Sequence, residues 1–389
     1  MKTVFFALAL AAAATAQAAP YVPASGQQVI ETLPRRGDPV QQQLRRLRSE
    51  LTARPDDMAL ATELATRYIA LARSDTDPRY LGYAQAALAP WWWLSAPPPQ
   101  VRLLRATLLQ STHQFDPALD DLKAVLAADP NNAQAWLTQA TVQTVRGDYT
   151  GATASCARLS ATSIELVTIT CIANVGTVTG RSQKSEQLLD LTLERSANAP
   201  AELQVWALTL LAEMAQRRGD AAIAEARYKR ALALRPRDSY LLGAYSDFLL
   251  EQKRAAGVIA LLADQTRIDA LLLRRALALQ QQRAMNSLAA DVKELAARFD
   301  AAALRGDTVH QREQARFELL LRNDAATALA LARKNWTVQK EPADMRILLE
   351  SALKARDPGA ARPVLDWIAR NHTEDVAATR LIRQLNTGT

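Results

Sequence analysis

The sequence is poor in the residues from which most catalytic and metal sites are built. Its 389 residues include only three histidines, two cysteines and 13 glycines. Two cysteines and three scattered histidines (His113, His310 and His372) cannot assemble a closed zinc site from local spacing. There is no glycine-rich phosphate loop, no G-x-S-x-G elbow and no H-E-x-x-H helix. We therefore predict that the protein is not an enzyme and binds neither a metal ion nor a cofactor.

The charge is positive but dispersed. Lysine and arginine number 47 against 40 acidic residues, for a net charge of +7. The two signs are interspersed along the chain, whereas a nucleic-acid groove needs a concentrated basic stripe. We expect a solvated surface and no nucleic-acid partner. No stretch is apolar for the roughly 20 residues that a membrane-spanning helix needs, so we do not expect the chain to span a membrane.

The first residues have the features of a targeting segment. Residues 1–18 combine Lys2, the apolar run Val4–Ala14 and small residues suited to a cleavage site. No cysteine follows that site, so we expect no lipid anchor. These features predict a cleaved signal peptide and a periplasmic or secreted protein. Residues 19–39 hold four prolines and little periodicity, which indicates an extended leader.

A helical-hairpin pattern recurs from Asp116 to Pro236. Ala118 and Ala224 lie 106 residues apart, and so do Pro130 and Pro236. That spacing is three units of about 34 residues plus four, and such a period is typical of stacked helical repeats.

A turn pattern recurs as well. An aspartate precedes an alanine by four residues at four places, and aspartate at a helix start accepts hydrogen bonds from free backbone N–H groups. The four pairs are Asp148 and Ala152, Asp220 and Ala224, Asp324 and Ala328, and Asp357 and Ala361. Asn286 before Ala290 is a fifth candidate.

One repeat family matches these units. In Gln204–Pro236, apolar residues line a first helix, Arg218-Gly219-Asp220 makes a turn, Ala224 and Tyr228 line a second helix, and Pro236 closes the unit. The same places in the preceding units include Trp136, Ala140, Gly147, Ala152, Ala106, Ala118 and Pro130. This pattern resembles the tetratricopeptide repeat. The resemblance implies an all-α, right-handed superhelical solenoid of stacked antiparallel helix pairs.

The pattern also divides the chain. We predict capping helices and an atypical repeat in residues 40–98, central repeats in 99–264, and further repeats with a capping helix in 265–389. Residues 264–311 are the least regular part of this division.

The two cysteines fall on helices that would pack side by side. Cys156 lies late in a second helix and Cys171 early in the next first helix. In an oxidising compartment such a pair usually forms a disulfide. The alternative is two buried free thiols.

The resemblance also places a binding surface. In tetratricopeptide repeats the first helices line a concave groove that binds peptides or partner helices. Carried over, the groove positions are Asn174, Trp206, Glu213, Arg217, Tyr240 and Asp247. We expect a protein or peptide partner there. Each residue is equally compatible with an ordinary solvent-facing position, and the convex face and the leader are alternative docking surfaces.

Three consecutive tryptophans, Trp91 to Trp93, offer a second hypothesis. Successive helical residues point about 100° apart, so the three rings cannot share one face. One interpretation buries two rings and covers the third with the prolines at 97–99. The other makes them an aromatic patch, in which case the protein would bind carbohydrate or peptidoglycan.

Overall fold

The computed structural model describes Ser25, Gln27, Gln28 and residues 37–74, 77–307 and 309–387. The predicted signal peptide, residues 1–18, lies outside the described residues, as does most of the leader. The chain divides into a unit that ends at Ser49 and a large unit that begins at Glu50. The first helix, α1 (Pro39–Ala53), crosses this boundary. The helix stack belongs to the large unit.

The described residues are helical throughout and contain no strand. The helices after α1 are α2 (Met58–Ser74), α3 (Arg79–Ala87), α4 (Ala89–Trp92), α5 (Pro99–Ser111), α6 (Phe115–Ala128), α7 (Ala133–Arg146), α8 (Tyr149–Arg158), α9 (Glu165–Gly176), α10 (Ser182–Arg195), α11 (Ala201–Arg218), α12 (Ala221–Leu234), α13 (Ser239–Glu251), α14 (Ala255–Leu261), α15 (Asp269–Gln281), α16 (Met285–Leu304), α17 (Gln311–Phe317), α18 (Ala325–Val338), α19 (Pro342–Lys354), α20 (Arg362–Asn371) and α21 (Val376–Thr387). Among these residues no helix combines the length and apolarity needed to cross a membrane.

Consecutive helices form antiparallel pairs, and the pairs stack. From α5 onward each odd-numbered helix packs on the helix that follows it and also on the next odd-numbered helix. The odd-numbered helices α5 to α19 therefore form an inner layer, and their partners form an outer layer. This is a solenoid of the tetratricopeptide-repeat type, as the spacing predicts.

Aspartate caps mark the turns of the repeated hairpins. The side chains of Asp148, Asp220, Asp324 and Asp357 each accept a hydrogen bond from the backbone N–H three residues later. The alanine that follows each by four residues is 0% exposed, because two helices approach closely there. The same expectation for Asn286 is wrong: α16 begins at Met285, and Ala290 is exposed.

The tryptophan triplet lies at the end of α4. Trp92 is buried, Trp91 is half-buried and Trp93 is 86% exposed. The expectation that the prolines cover the third ring is therefore wrong. A single fully exposed ring remains, rather than a patch of several rings.

Cys156 on α8 and Cys171 on α9 form a disulfide. Their Cα atoms lie 5.6 Å apart, and both side chains are buried. The bond joins two successive repeats at the middle of α9, a helix with several threonines, which are weak helix formers. The predicted pairing is confirmed.

The C-terminal helices return to the middle of the stack. The backbone N–H of Lys340 donates to the carbonyl of Val145 at 2.7 Å. The hydroxyl of Thr373 donates to the carbonyl of Val178 at 3.0 Å. The acceptors lie at the ends of α7 and α9. The inner layer therefore curves until its last repeat meets its earlier repeats.

Glycines in two turns make this contact possible. Gly147 has a φ of +81°, and a Cβ atom there would lie 2.3 Å from the Trp367 side chain. Gly180 has a φ of +67°, and a Cβ atom there would lie 2.9 Å from His372. The left-handed backbone and the close approach both favour glycine. The Trp367 ring, seated over Gly147, also packs edge-on against Tyr149.

Removal of the disulfide tests its contribution to stability. It closes a loop with a sequence separation of 15. In the chain-entropy model such a loop is worth about 3 kcal/mol. We expect the double change Cys156→Ala and Cys171→Ala to lower the free energy of unfolding in urea by about that amount. A reductant should lower the stability of the wild type and leave the variant unchanged; equal responses would contradict the prediction.

Trp367 tests the return contact. We expect Trp367→Ala to lower the free energy of unfolding by about 2 kcal/mol, because a half-buried ring loses its packing. Hydrogen exchange should rise in α20, α21 and the turn after α7. Trp93→Ala is the matched control, since that ring is 86% exposed and should change neither quantity. Unchanged exchange in α20 and α21 would show that Trp367 does not hold this contact.

Candidate functional site

The curved inner layer lines a partly open cavity of about 930 Å³. Its walls come from α11, α13, α15 and α19 and from the helical turn Glu318–Arg322 that extends α17. The wall residues combine charged groups with leucines and one isoleucine. The C-terminal repeats thus contribute part of the wall of this cavity, which stays partly open to solvent.

The structure brings four of the six predicted groove residues together. Glu213, Arg217 and Asp247 line the cavity. The hydroxyl of Tyr240 donates to Glu213 at 2.8 Å. The other two lie apart from the cavity wall. Asn174 is half-buried on α9, and Trp206 packs against the cluster around the disulfide.

Asp247 and Glu251 on α13 accept hydrogen bonds from side chains of several other helices. Asp247 accepts from Arg274 of α15 at 2.6 Å and from Arg316 of α17 at 3.0 Å. Glu251, one turn later, accepts from Gln216 of α11 and from Arg346 of α19. Burial by itself would raise the pKa of Asp247, but the two guanidinium groups outweigh it and hold that pKa well below the ordinary value. These contacts connect α13 to four other inner helices.

Glu213 has a different environment. Burial raises its pKa, and the nearby Arg217 only partly opposes this effect. Arg217 itself donates to the Thr177 hydroxyl at 2.6 Å rather than to a carboxylate. The Glu213 charge, followed by burial, raises the pKa of Tyr240 well above its usual value, although the side chain is 65% exposed. Tyr240 is therefore exposed to solvent, while its hydroxyl lies beside the Glu213 carboxylate.

Glu350 of α19 is a second cavity carboxylate whose pKa is raised. Burial raises its pKa even though Arg346 and Arg316 are near enough to lower it. Within the described part of the chain, no hydrogen bond or ion pair joins Glu350 to another side chain. Both of those arginines are already bound, to Glu251 and Asp247 respectively.

Sequence reasoning missed the C-terminal wall of the cavity. Arg316, Arg346 and Glu350 come from the C-terminal repeats of residues 265–389, to which the sequence analysis assigned no groove position. The turn Glu318–Arg322 has π-helical hydrogen bonding, and Asn323 after it has a φ of +56°. Such insertions in helices are frequent at functional sites. The sequence signals here were Asp324 and Asp357, which mark the turns before α18 and after α19.

In the ranges that the structure describes, no group of three or more His, Cys, Asp or Glu side chains is placed to hold a metal ion. His113 lies in a turn beside Gln339, at 3.3 Å, and stacks on Phe115. His310 and His372 are exposed.

Asp247→Asn tests the ion pairs of α13. Asparagine keeps the size of the side chain and leaves Arg274 and Arg316 facing each other without a carboxylate. We expect a loss of about 2 kcal/mol at neutral pH, less than for a fully buried pair because the Asp247 side chain is 25% exposed. Because the pKa of Asp247 is lowered in the folded protein, its contribution is present above about pH 4, the unfolded value, and disappears as the pH falls further.

Urea unfolding of wild type and variant between about pH 3 and pH 7 measures this difference. Asp366→Asn, at an exposed position on α20, removes the same charge elsewhere and should have little effect at any pH. A stability difference that does not shrink in acid would show that the carboxylate charge of Asp247 is not responsible.

Comparison with known sequences gives no match: no protein-family model fits this chain, and no curated protein aligns with it. Solved structures do align with it. A tetratricopeptide repeat protein from Parabacteroides merdae is 13% identical over 65% of this chain and 98% of its own, with a TM-score of 0.39. The APC/C hetero-tetramer Cut9–Hcn1 is 12% identical over 90% of this chain and 59% of its own, with a TM-score of 0.45.

The human IFIT1 dimer with m7Gppp-AAAA is 12% identical over 88% of this chain and 86% of its own, with a TM-score of 0.45. All these similarities are distant. The stacked helix pairs, the capped turns and the buried alanines described above are what make this chain a tetratricopeptide-repeat-like solenoid.

Proposed function

We propose that the protein is a non-enzymatic interaction scaffold of the bacterial periplasm that binds a partner protein or peptide at its concave surface. One observation carries the proposal. Glu213, Arg217 and Asp247, chosen from the repeat pattern as groove positions, line one cavity of about 930 Å³. Pockets that bind ligands are concave, with apolar walls and a few convergent polar groups.

The compartment is part of the same proposal. The N-terminal sequence has the order of charged, apolar and small residues found in signal peptides. The Cys156–Cys171 disulfide supports export, because disulfides persist in oxidising compartments.

The carbohydrate hypothesis lacks a comparable observation. It requires several exposed aromatic rings, whereas Trp92 is buried and Trp91 is half-buried. We therefore do not propose it.

Site-specific photocrosslinking in cells tests the proposal. Benzoylphenylalanine in place of Tyr240 puts the reactive group beside Glu213, and in place of Tyr83, which is 49% exposed on α3, it provides the control. We expect adducts of defined mass from position 240 in a periplasmic extract, and their loss when Arg217→Ala is added. Adducts from position 83 alone would place the partner on another surface and overturn the proposal.

A further inference from the structure

The hairpins from α5 to α20 share one backbone feature, a turn residue with a positive φ. In chain order these residues are His113, Gly147, Gly180, Gly219, Lys253, Arg283, Asn323 and Arg356. Glycine adopts this left-handed conformation freely, and asparagine and histidine adopt it more often than most residues with a side chain. Lys253, Arg283 and Arg356 have φ values of 60°, 57° and 54°, so they are strained where glycine would not be.

The three glycine turns lie against the C-terminal segment of the same chain. Trp367 and His372 cover the first two, and a side chain at either position would collide with them. At Gly219 a Cβ atom would lie 3.6 Å from the Val376 side chain. The protein itself therefore occupies this edge of the stack as far as the turn after α11.

The three basic turns, Lys253, Arg283 and Arg356, are exposed to solvent instead. Within the described ranges, none of these side chains makes a hydrogen bond or an ion pair. Asp357, which follows Arg356, already accepts from the backbone N–H of Ala360 as a helix cap. No internal contact of the basic side chains therefore offsets the strain of their backbone. Residues held in strained conformations are concentrated at functional sites.

The turns after α13, α15 and α17 are neighbours in the stack. Two glutamine side chains at the end of α15 donate to backbone carbonyls of the adjacent inner segments, Gln281 to Leu250 at 3.3 Å and Gln280 to Leu320 at 2.8 Å. Neighbouring helices pack about 8–10 Å apart. The turn residues therefore follow one another along one edge at about that spacing.

This edge borders the cavity. Lys253, Asn323 and Arg356 line it, and so does Lys354, which has no ion pair among the described residues. The two α13 carboxylates in the wall are by contrast bound to arginines of facing helices. The side chains left unpaired at the turns beside the cavity are therefore cationic, and an occupant that crosses this edge meets positive charge.

We infer that an acidic segment of the partner protein binds along this edge, with its carboxylates on Lys253, Arg283 and Arg356. This inference rests on the proposed function and makes it more specific. Charge complementarity selects acidic partners over basic ones. A protein segment fits better than a nucleic acid, which needs a concentrated basic stripe, because the uncharged Asn323 interrupts the row. About three residues of extended chain span one helix spacing, so we expect the acidic residues about three positions apart.

Short peptides with acetylated and amidated ends test this inference. Three peptides share uncharged residues and carry glutamate, glutamine or lysine at every third position. We expect the full-length protein to bind the glutamate peptide about tenfold tighter than the glutamine peptide at low salt, because several exposed ion pairs each add a modest factor. Added salt should reduce the preference, since it screens exposed charges. Fluorescence anisotropy measures each affinity.

Variants of the basic turns assign the preference to this edge. The triple change Lys253→Gln, Arg283→Gln and Arg356→Gln removes the charges and should abolish the preference. The corresponding triple change to glycine should abolish it as well, without lowering the melting temperature, because glycine relieves the backbone strain. Circular dichroism checks that each variant keeps its helical content.

A charge-matched control uses the outer helices. Lys184→Gln, Arg230→Gln and Lys293→Gln remove three exposed cations from α10, α12 and α16 and should retain the preference. A preference lost equally in this control would mean that only the net charge matters, and the inference would be wrong.

The remaining outcomes separate the inference from the proposed function. Equal binding of the three peptides, binding of none, or a preference that survives in the variants of the basic turns overturns the inference. A single-stranded oligonucleotide that binds as tightly as the glutamate peptide, and is lost in the same variants, would overturn the assignment to a protein segment. Crosslinking from position 240 judges the proposed function independently, and adducts that persist in the glutamine variant would leave it intact.

Discussion

Two carboxylates on α13 connect helices that are distant in sequence. Asp247 binds arginines of α15 and α17, and Glu251 binds Gln216 of α11 and Arg346 of α19. Partly buried ion pairs such as these contribute little net stability, but breaking one leaves a charge without its partner. The effect of these pairs is therefore to fix the geometry of the inner layer. The spacing of the helices around the cavity depends on these contacts, because they join α13 to the inner helices on both sides of it.

The return of the C-terminal helices acts with these pairs. Open solenoids of helix pairs grow by contacts between neighbouring repeats only. Here Trp367 occupies the space over Gly147, and His372 lies against Gly180, so repeats far apart in sequence also touch. The cavity beside this contact stays partly open to solvent.

The carboxylates that line the cavity differ in the direction in which their pKa values are shifted. Asp247 has a lowered pKa because two arginines hold it, while burial raises the pKa values of Glu213 and Glu350. All three residues lie on inner helices and are of similar type. Their difference comes from which groups face them, since Asp247 accepts from two guanidinium groups and Glu213 accepts from the Tyr240 hydroxyl.

The sequence by itself determined the local structure. The four aspartate caps, the buried alanines after them and the cysteine pair were all predictable, because helix capping and the packing of adjacent helices depend on residues close in sequence. Only the tertiary structure decided that the C-terminal repeats face α11 and α13, and which residues line the cavity between them. Arg316, Arg346 and Glu350 approach α11 and α13 through curvature summed over several repeats, and small rotations between repeats leave no pattern in the sequence. Trp206 shows the same limit, since its packing beside the disulfide depends on a one-residue register that the degenerate repeats did not specify.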